Sequence, residues 1–250
     1  MFEREVTDHI LTIRLAHKKA NALDLELCDA LREAIEDAAA DASVHAIVLT
    51  GNGSIFSAGV DLPRLIDGGA AYVQPYVESL DAVLRALFLF PKPAIAAVNG
   101  HAIAGGAIIA FACDYRLMTG GRIGVPELLV GVPFPPLALE IVRFAIPRQH
   151  LQSMVYFGRT IEAPEAHTMR IIDEVVHVET LLTRAQTIAV QIAAIAPEAF
   201  RITKRQLREP FLHDASRVAA ASAGEIDTMW AAPATHERIR AYVAKTIGKK

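Results

Sequence analysis

Apolar residues along the chain switch between two spacings. Leu11, Ile13 and Leu15 alternate with Thr12 and Arg14, the period of a strand with one covered face. Ala46–Thr50 (AIVLT) and Ala94–Val98 (AIAAV) are continuous apolar runs of strand length, the pattern of strands covered on both faces. Between them, Leu27, Leu31, Ile35 and Ala38 form one helical stripe that Asp24 can cap. Val83, Leu84, Leu87 and Phe88 mark a second helix that ends before Pro91. A helix from about Ala104, a strand over Tyr115–Met118 and a further strand over Ile171–Val176 follow. Strands alternating with helices predict an α/β fold. AIVLT and AIAAV begin at 46 and 94, 48 residues apart, which hints at a repeated strand–helix unit. Beyond about residue 180 only helical spacing remains, over Leu181–Ala194, Glu198–Glu209, Ala215–Trp230 and Thr235–Thr246. The expected division is a core over residues 1–190 and a helical tail over 191–250. The tail's Met229, Trp230, Ile239 and Tyr242 need covering, by the chain's own body or by a neighbouring subunit.

Composition narrows the class. Apolar residues make up 52% of the 250, which supports one sizeable core and excludes a disordered chain. A net charge of −3 offers no global basic field, so no nucleic-acid partner is expected, and an anionic ligand has to be held by local groups. Cys28 and Cys113 stand alone on apolar stretches without metal-ligand spacing; they read as two buried thiols of a reducing, cytoplasmic compartment. The start, MFEREVTDHI, lacks the apolar segment of a signal peptide. Residues 94–113 are long enough to span a membrane, but Pro93, Asn99, Gly100, His101, Gly105 and Gly106 interrupt them, and Asn-Gly marks a turn. No membrane partner is expected.

Three stretches carry candidate chemistry. The first, GNGSIFSAGVDL (51–62), follows a strand directly. It lacks the third glycine of a dinucleotide fingerprint, and Ser57 is not in a nucleophile elbow. What remains is a turn whose small residues, Ser57, Ala58 and Gly59, let backbone N–H groups face a ligand. In the second, Asn99-Gly100 turns and Ala104-Gly105-Gly106 opens a helix. The glycine pair serves either tight helix–strand packing or the display of helix N-terminal N–H groups to developing negative charge. In the third, RIGVPELLVGVPFP (122–135), Glu127 stands among apolar neighbours. A carboxyl in such a pocket has a raised pKa and suits proton transfer, whereas at an exposed helix start it is merely solvated.

The order and spacing of KKANALDLEL (18–27), LTGNGSIFSAGVDL (49–62), PKPAIAAVNGHAIAGGAIIAFACDYRL (91–117), VPELLVG (125–131) and APEAHTMRIIDEVV (163–176) resemble the crotonase family, the enoyl-CoA hydratases and isomerases. The resemblance spans nearly the whole chain. It implies a spiral of β-β-α units with an all-helical C-terminal oligomerisation region, assembled as a homotrimer or hexamer. It also implies an oxyanion hole made by the backbone N–H groups of Val60 and Gly105, which hold the thioester carbonyl of an acyl-CoA substrate. Ala20, Ala22, Ala58, Gly59, Val60, Asp61, Leu62, Gly105 and Pro126 would line the substrate site, and Lys18, Lys19 or Arg64 could meet the CoA phosphates. No metal and no cofactor beyond the CoA thioester substrate are expected.

Hydratases of this family carry two glutamates. Here the first position is Ile108 and only the second, Glu127, is kept. Holding and activating a water takes two carboxylates, whereas shifting a double bond takes one base. The pattern is therefore closest to the single-glutamate Δ3,Δ2-enoyl-CoA isomerases, with Glu127, Val60 and Gly105 as the catalytic groups. The alternatives are a hydratase of reduced or altered activity and a non-catalytic acyl-CoA-binding protein. Other departures are VPFPPLALEIVR (132–143) in place of a glycine-rich segment, which should reshape the acyl pocket, and Arg170 where the family often has glycine. Glu140 could supply a second carboxylate, but its helical spacing favours a surface role, and His101 could touch the ligand, but reads first as a hydrogen-bonded structural histidine.

Overall fold

The structure is a computed structural model and describes residues 1–246 apart from the Ala223 side chain. In chain order the elements are β1 (Phe2–Thr7), β2 (Ile10–Leu15), α1 (Leu25–Ala40), β3 (Ala46–Thr50), β4 (Ile55–Ser57), α2 (Leu62–Phe88), β5 (Ala94–Val98), β6 (His101–Ile103), α3 (Gly105–Ala112), β7 (Tyr115–Met118) and β8 (Arg122–Gly124). Then come α4 (Glu127–Val130), α5 (Pro136–Ala145), α6 (Arg148–Tyr156), β9 (Thr160–Glu162), α7 (Ala163–Thr168), β10 (Glu174–Val175), α8 (Leu181–Ala193), α9 (Pro197–Ala231) and α10 (Pro233–Thr246).

Three successive β-β-α units build the body: β3-β4-α2, β5-β6-α3 and β7-β8-α4. In each, the first strand joins a six-stranded sheet of order β1-β2-β3-β5-β7-β10, and the second joins a smaller sheet of order β4-β6-β8-β9. From β2 to β10 the large sheet is parallel, with Ile13 beside Leu49, Leu49 beside Ala96, and Ala97 beside Leu117. The two apolar runs at 46–50 and 94–98 are its central strands, and every residue in them is buried. One face carries Leu11, Ile13, Ile47, Leu49 and Ala96 into the main core. The other carries Val48, Ile95 and Ala97 against Ala185, Ile188 and Ala189 of α8. Coverage on both faces is why these strands read as unbroken hydrophobic sequence.

The strand expected over Ile171–Val176 shrinks to β10, two residues long, because Ile171 and Ile172 turn into the core rather than pairing. Arg170 sits just before, at φ +60°, which accounts for the glycine usual there. The two helices expected over 198–209 and 215–230 are one helix, α9, continuous through Pro210. A proline removes one helical hydrogen bond, and tertiary contacts on both sides of it hold the helix together here. On one side Arg208 donates to the carbonyls of Phe88 and Ala112 at 2.6 and 2.8 Å and to Asp114 Oδ1 at 2.7 Å. Lys204 Nζ meets Asp114 Oδ2 at 2.6 Å. On the other, Phe211 packs edge-on against Phe144 of α5. Among the described residues, no helix is long and apolar enough to cross a membrane.

Candidate active site

β4, β6 and β8 are parallel neighbours in the small sheet, and each turns into a helix at its carboxyl end. Those three turns bring together the three sequence-predicted groups: the Val60 amide before α2, the Gly105 amide at the start of α3, and Glu127 at the start of α4. Carboxyl ends of neighbouring parallel strands are where α/β folds place their ligands.

The first turn is tied to the loop after β2. Ala58 N–H donates to Ala20 O at 3.0 Å, Leu23 N–H to Gly59 O at 2.8 Å, and Asp61 N–H to Leu23 O at 3.0 Å. The Asn21 side chain donates to the Ile55 and Phe56 carbonyls, and the Ser57 hydroxyl donates to Asn21 O at 2.7 Å. This pairing makes Leu23 and Val60 a parallel bridge. In such a bridge the flanking residues use the groups that face Leu23, so the Val60 N–H points to the other side. Gly59 adopts φ +78°, which only glycine takes without strain.

The second turn is strained. Ala104, a non-glycine residue, sits at φ +52° and ψ −127° as the N-cap of α3. That conformation costs on the order of 1–3 kcal/mol and aims the next amide, Gly105 N–H, out of the helix. As the first residue of a helix, Gly105 has no intrahelical acceptor. Among the described residues neither the Val60 nor the Gly105 amide donates to the protein. They lie side by side: a Cβ built on Gly105 would be 3.9 Å from Val60 N, and one built on Gly59 would be 2.9 Å from Gly105 N. The two glycines of the pair have different jobs. A Cβ on Gly106 would strike Ser57 O at 2.3 Å, so Gly106 is there for helix–strand packing.

The third turn starts beside the second, because Ala104 N–H donates to Gly124 O at 2.8 Å. Three residues on, Glu127 is buried and its Oε2 has no hydrogen-bond partner. Burial pushes the carboxyl up to about 8, opposed only by its own backbone N–H. A protonated or newly ionised carboxyl with a bare oxygen is equipped to carry a proton. Ile108, one helical turn beyond Gly105, is packed in the core.

Around this centre Ala20, Ala22, Val60, Asp61 and Leu62 are half-buried, Ala58 is exposed, and Gly59, Gly105 and Pro126 are buried. Lys18 Nζ lies 2.7 Å from Asp24 Oδ2 and 2.8 Å from Asp61 Oδ2, and these bonds raise its pKa. Burial pushes Asp24 up, but hydrogen bonds from Lys18, His17 and Leu27 N–H outweigh it and hold the carboxyl below its ordinary value. Arg64 pairs with Glu26 at 3.1 Å and lies over the Tyr72 ring. His101 Nδ1 accepts from Arg122 N–H at 3.2 Å, the structural role expected of it. Glu140 is not on the surface: it is 2% exposed, and its Oε1 accepts from Arg143 at 2.5 Å, while Arg143 also faces Asp214 of α9. The reason is that α9 covers this side of α5, a contact helical spacing alone does not show. Tyr242, which its helical spacing shows only as an apolar residue in need of cover, lies half-buried on α10, and α10 packs against α4.

At the strand ends of a β-β-α spiral, then, stand two neighbouring amides without a protein acceptor and one buried carboxyl with a bare oxygen. The sequence profile described as Enoyl-CoA hydratase/isomerase matches residues 5–247. A putative enoyl-CoA hydratase of Thermus thermophilus is 34% identical over 76% of this chain and 76% of its own length. The mitochondrial enoyl-CoA delta isomerase 1 of Mus musculus is 25% identical over 84% of this chain and 74% of its own. The crystal structure of human mitochondrial Δ3-Δ2-enoyl-CoA isomerase superposes with a TM-score of 0.93, 23% identical and covering 100% of this chain and 99% of that one. The chain belongs to the enoyl-CoA hydratase/isomerase family, and its fold is the crotonase fold.

Proposed function

We propose that this protein is an enoyl-CoA isomerase, moving a double bond between the 3,4 and 2,3 positions of an acyl-CoA. The observation that carries this reading is Glu127 with its buried, bare oxygen, while the position one helical turn beyond Gly105 that would give a water its second carboxylate is Ile108; Glu140, whose Oε2 is also buried and bare, has its other oxygen engaged by Arg143. In the proposed reaction the thioester oxygen sits between the Val60 and Gly105 N–H groups. Glu127, ionised, takes a proton from C2 and leaves a dienolate whose negative charge falls on that oxygen. The same carboxyl then returns the proton to C4, and the double bond ends between C2 and C3. Two fixed donors aimed at the forming oxyanion strengthen as charge develops; loss of one such donor typically costs about 3–4 kcal/mol of barrier. The residues at 18–22 and 58–62 would flank the CoA. The reading carries with it assembly as a trimer or hexamer, supported by exposed Tyr156, Phe157 and Leu207, apolar groups that association would cover.

Incubation with a 3-enoyl-CoA series and with the matching 2-enoyl-CoA series, with products separated by chromatography and identified by mass, tests this. Double-bond migration without mass gain is expected, and Glu127→Gln should reduce it by about a hundred- to ten-thousandfold, as for loss of a general base. Gain of one water by the 2-enoyl-CoA series with the 3-enoyl-CoA series left unmoved would establish the hydratase reading instead. Thioester binding with no proton exchange at C2 in D2O would establish the non-catalytic one.

A further inference from the structure

Leu23 and Val60 form the bridge that turns the Val60 N–H toward the site, and the residue after each of them is an aspartate. Both aspartates cap helices. Asp24 accepts from Leu27 N–H at 2.8 Å at the start of α1, and Asp61 accepts from Arg64 N–H at 3.1 Å at the start of α2. Their carboxylates share one ammonium: Lys18 Nζ lies 2.7 Å from Asp24 Oδ2 and 2.8 Å from Asp61 Oδ2. The two oxygens are therefore no further apart than those contacts laid end to end. Neither is a solvated surface group, because the two side chains are 3% and 14% exposed. Like charges so close and so poorly solvated repel strongly unless a cation stands between them. His17 Nε2 bonds the same Asp24 oxygen at 2.7 Å, but among the described residues it makes no contact with Asp61. The Arg64 guanidinium turns to Glu26 instead. Lys18 holds its place from a left-handed backbone at φ +50°, a conformation that non-glycine residues rarely adopt and that is kept mainly at functional sites.

We propose that Lys18 is a positioning residue for the oxyanion hole, its ammonium standing between Asp24 and Asp61 so that the Leu23–Val60 bridge stays closed and the Val60 N–H stays on the thioester oxygen. The role rests on Val60 being an oxyanion donor, and it goes beyond that by assigning what holds the donor in place. It also takes Lys18 away from the CoA phosphates, since an ammonium held by two carboxylates presents no net attraction to a further anion. Without Lys18 both helix caps survive, because the Leu27 and Arg64 N–H groups still serve the two aspartates. What disappears is the charge between them, and their repulsion acts on the residue next to Val60. A displacement of about 1 Å at a reacting group can cost about a hundredfold in rate.

The test compares Lys18→Met with Lys18→Met/Asp61→Asn in the full chain. Asparagine keeps a cap on α2 and carries no charge. The readout is difference infrared spectroscopy of a bound saturated acyl-CoA with an isotope-labelled thioester carbon, because donors on the carbonyl oxygen lower its stretching frequency. Wild type should lower it relative to the ligand in water. Lys18→Met should lose about half of that lowering, as one donor of two withdraws, and kcat for double-bond migration should fall about ten- to a hundredfold with KM little changed. The double variant should regain most of both. Full lowering with unchanged kcat in Lys18→Met, or a double variant no better than the single one, overturns the proposal. A raised KM with the carbonyl unmoved overturns it in favour of a contact to the CoA phosphates. If the carbonyl responds as described in an enzyme that moves no double bond, the isomerase reading falls and this one stands. A carbonyl left unshifted by wild type overturns both.

Discussion

Glu127→Gln should make this protein more stable, and increasingly so as pH rises. The native carboxyl holds its proton to about 8, against 4.5 for an unperturbed glutamate, because burial penalises the charged form. The unfolded chain releases that proton near the ordinary value. Between the two, the native state binds more protons than the unfolded state, so glutamate at this position costs stability as pH climbs through the window. At about 1.4 kcal/mol per pH unit, less the rounding at each end, the cost grows by about 3–4 kcal/mol between pH 5 and pH 8. Glutamine keeps the shape and stays neutral. Wild type and variant should therefore be similar near pH 5 and differ by that amount near pH 8. Urea unfolding of both proteins at a series of pH values measures it. Lys204, which burial brings down to about 8 against the pull of Asp114, titrates in the same range, but it is common to both proteins and cancels in the difference. A stability gap that stays flat from pH 5 to pH 8 would show that Glu127 is solvated and ordinary, and the proton-carrier argument would lose its physical basis. If the gap opens while turnover disappears, Glu127 is a group kept for chemistry at the expense of stability.

Two more substitutions separate packing from chemistry. Gly105→Ala is tight only against the Leu23 Cδ1 atom at 3.0 Å, a side-chain end that can give, and otherwise makes ordinary contacts at 3.7–3.9 Å, so stability should change by less than about 1 kcal/mol, an ordinary small perturbation. Its methyl crowds the space between the two amides, and kcat/KM should fall about a hundredfold. Gly106→Ala runs into the Ser57 carbonyl at 2.3 Å and should cost at least about 1–3 kcal/mol of stability by overpacking, seen as a lowered urea midpoint. Asp114→Asn leaves Lys204 and Arg208, 6% and 2% exposed, without their counter-charge. The loss should be about 3–5 kcal/mol, with faster amide hydrogen exchange along α9. Unchanged exchange there would mean that the buried ion cluster does not dock the helix.

Much of this architecture is legible in the sequence, and the gaps have physical causes. β3 and β5 show as unbroken apolar runs because both faces are covered. The strands of the small sheet do not show: β4, β6, β8 and β9 are three residues each, too short for a period of two to repeat. Yet these strands aim the site, and only the glycine and proline punctuation after them betrayed it. Glu127 was visible as a carboxyl in apolar company. The packing of α10 on α4 is not visible, because it joins segments more than a hundred residues apart. Glu140 failed for the same reason, since helical spacing shows which face it shares and not that α9 covers that face.

The most direct measurement is a crystal structure of Glu127→Gln with a bound 3-enoyl-CoA. Both main-chain nitrogens, from Val60 and from Gly105, should stand about 2.7–3.1 Å from the thioester oxygen, with the C2 and C4 carbons facing residue 127. A thioester oxygen bonded to one of them or to neither, or an acyl chain turned away from residue 127, would contradict the account.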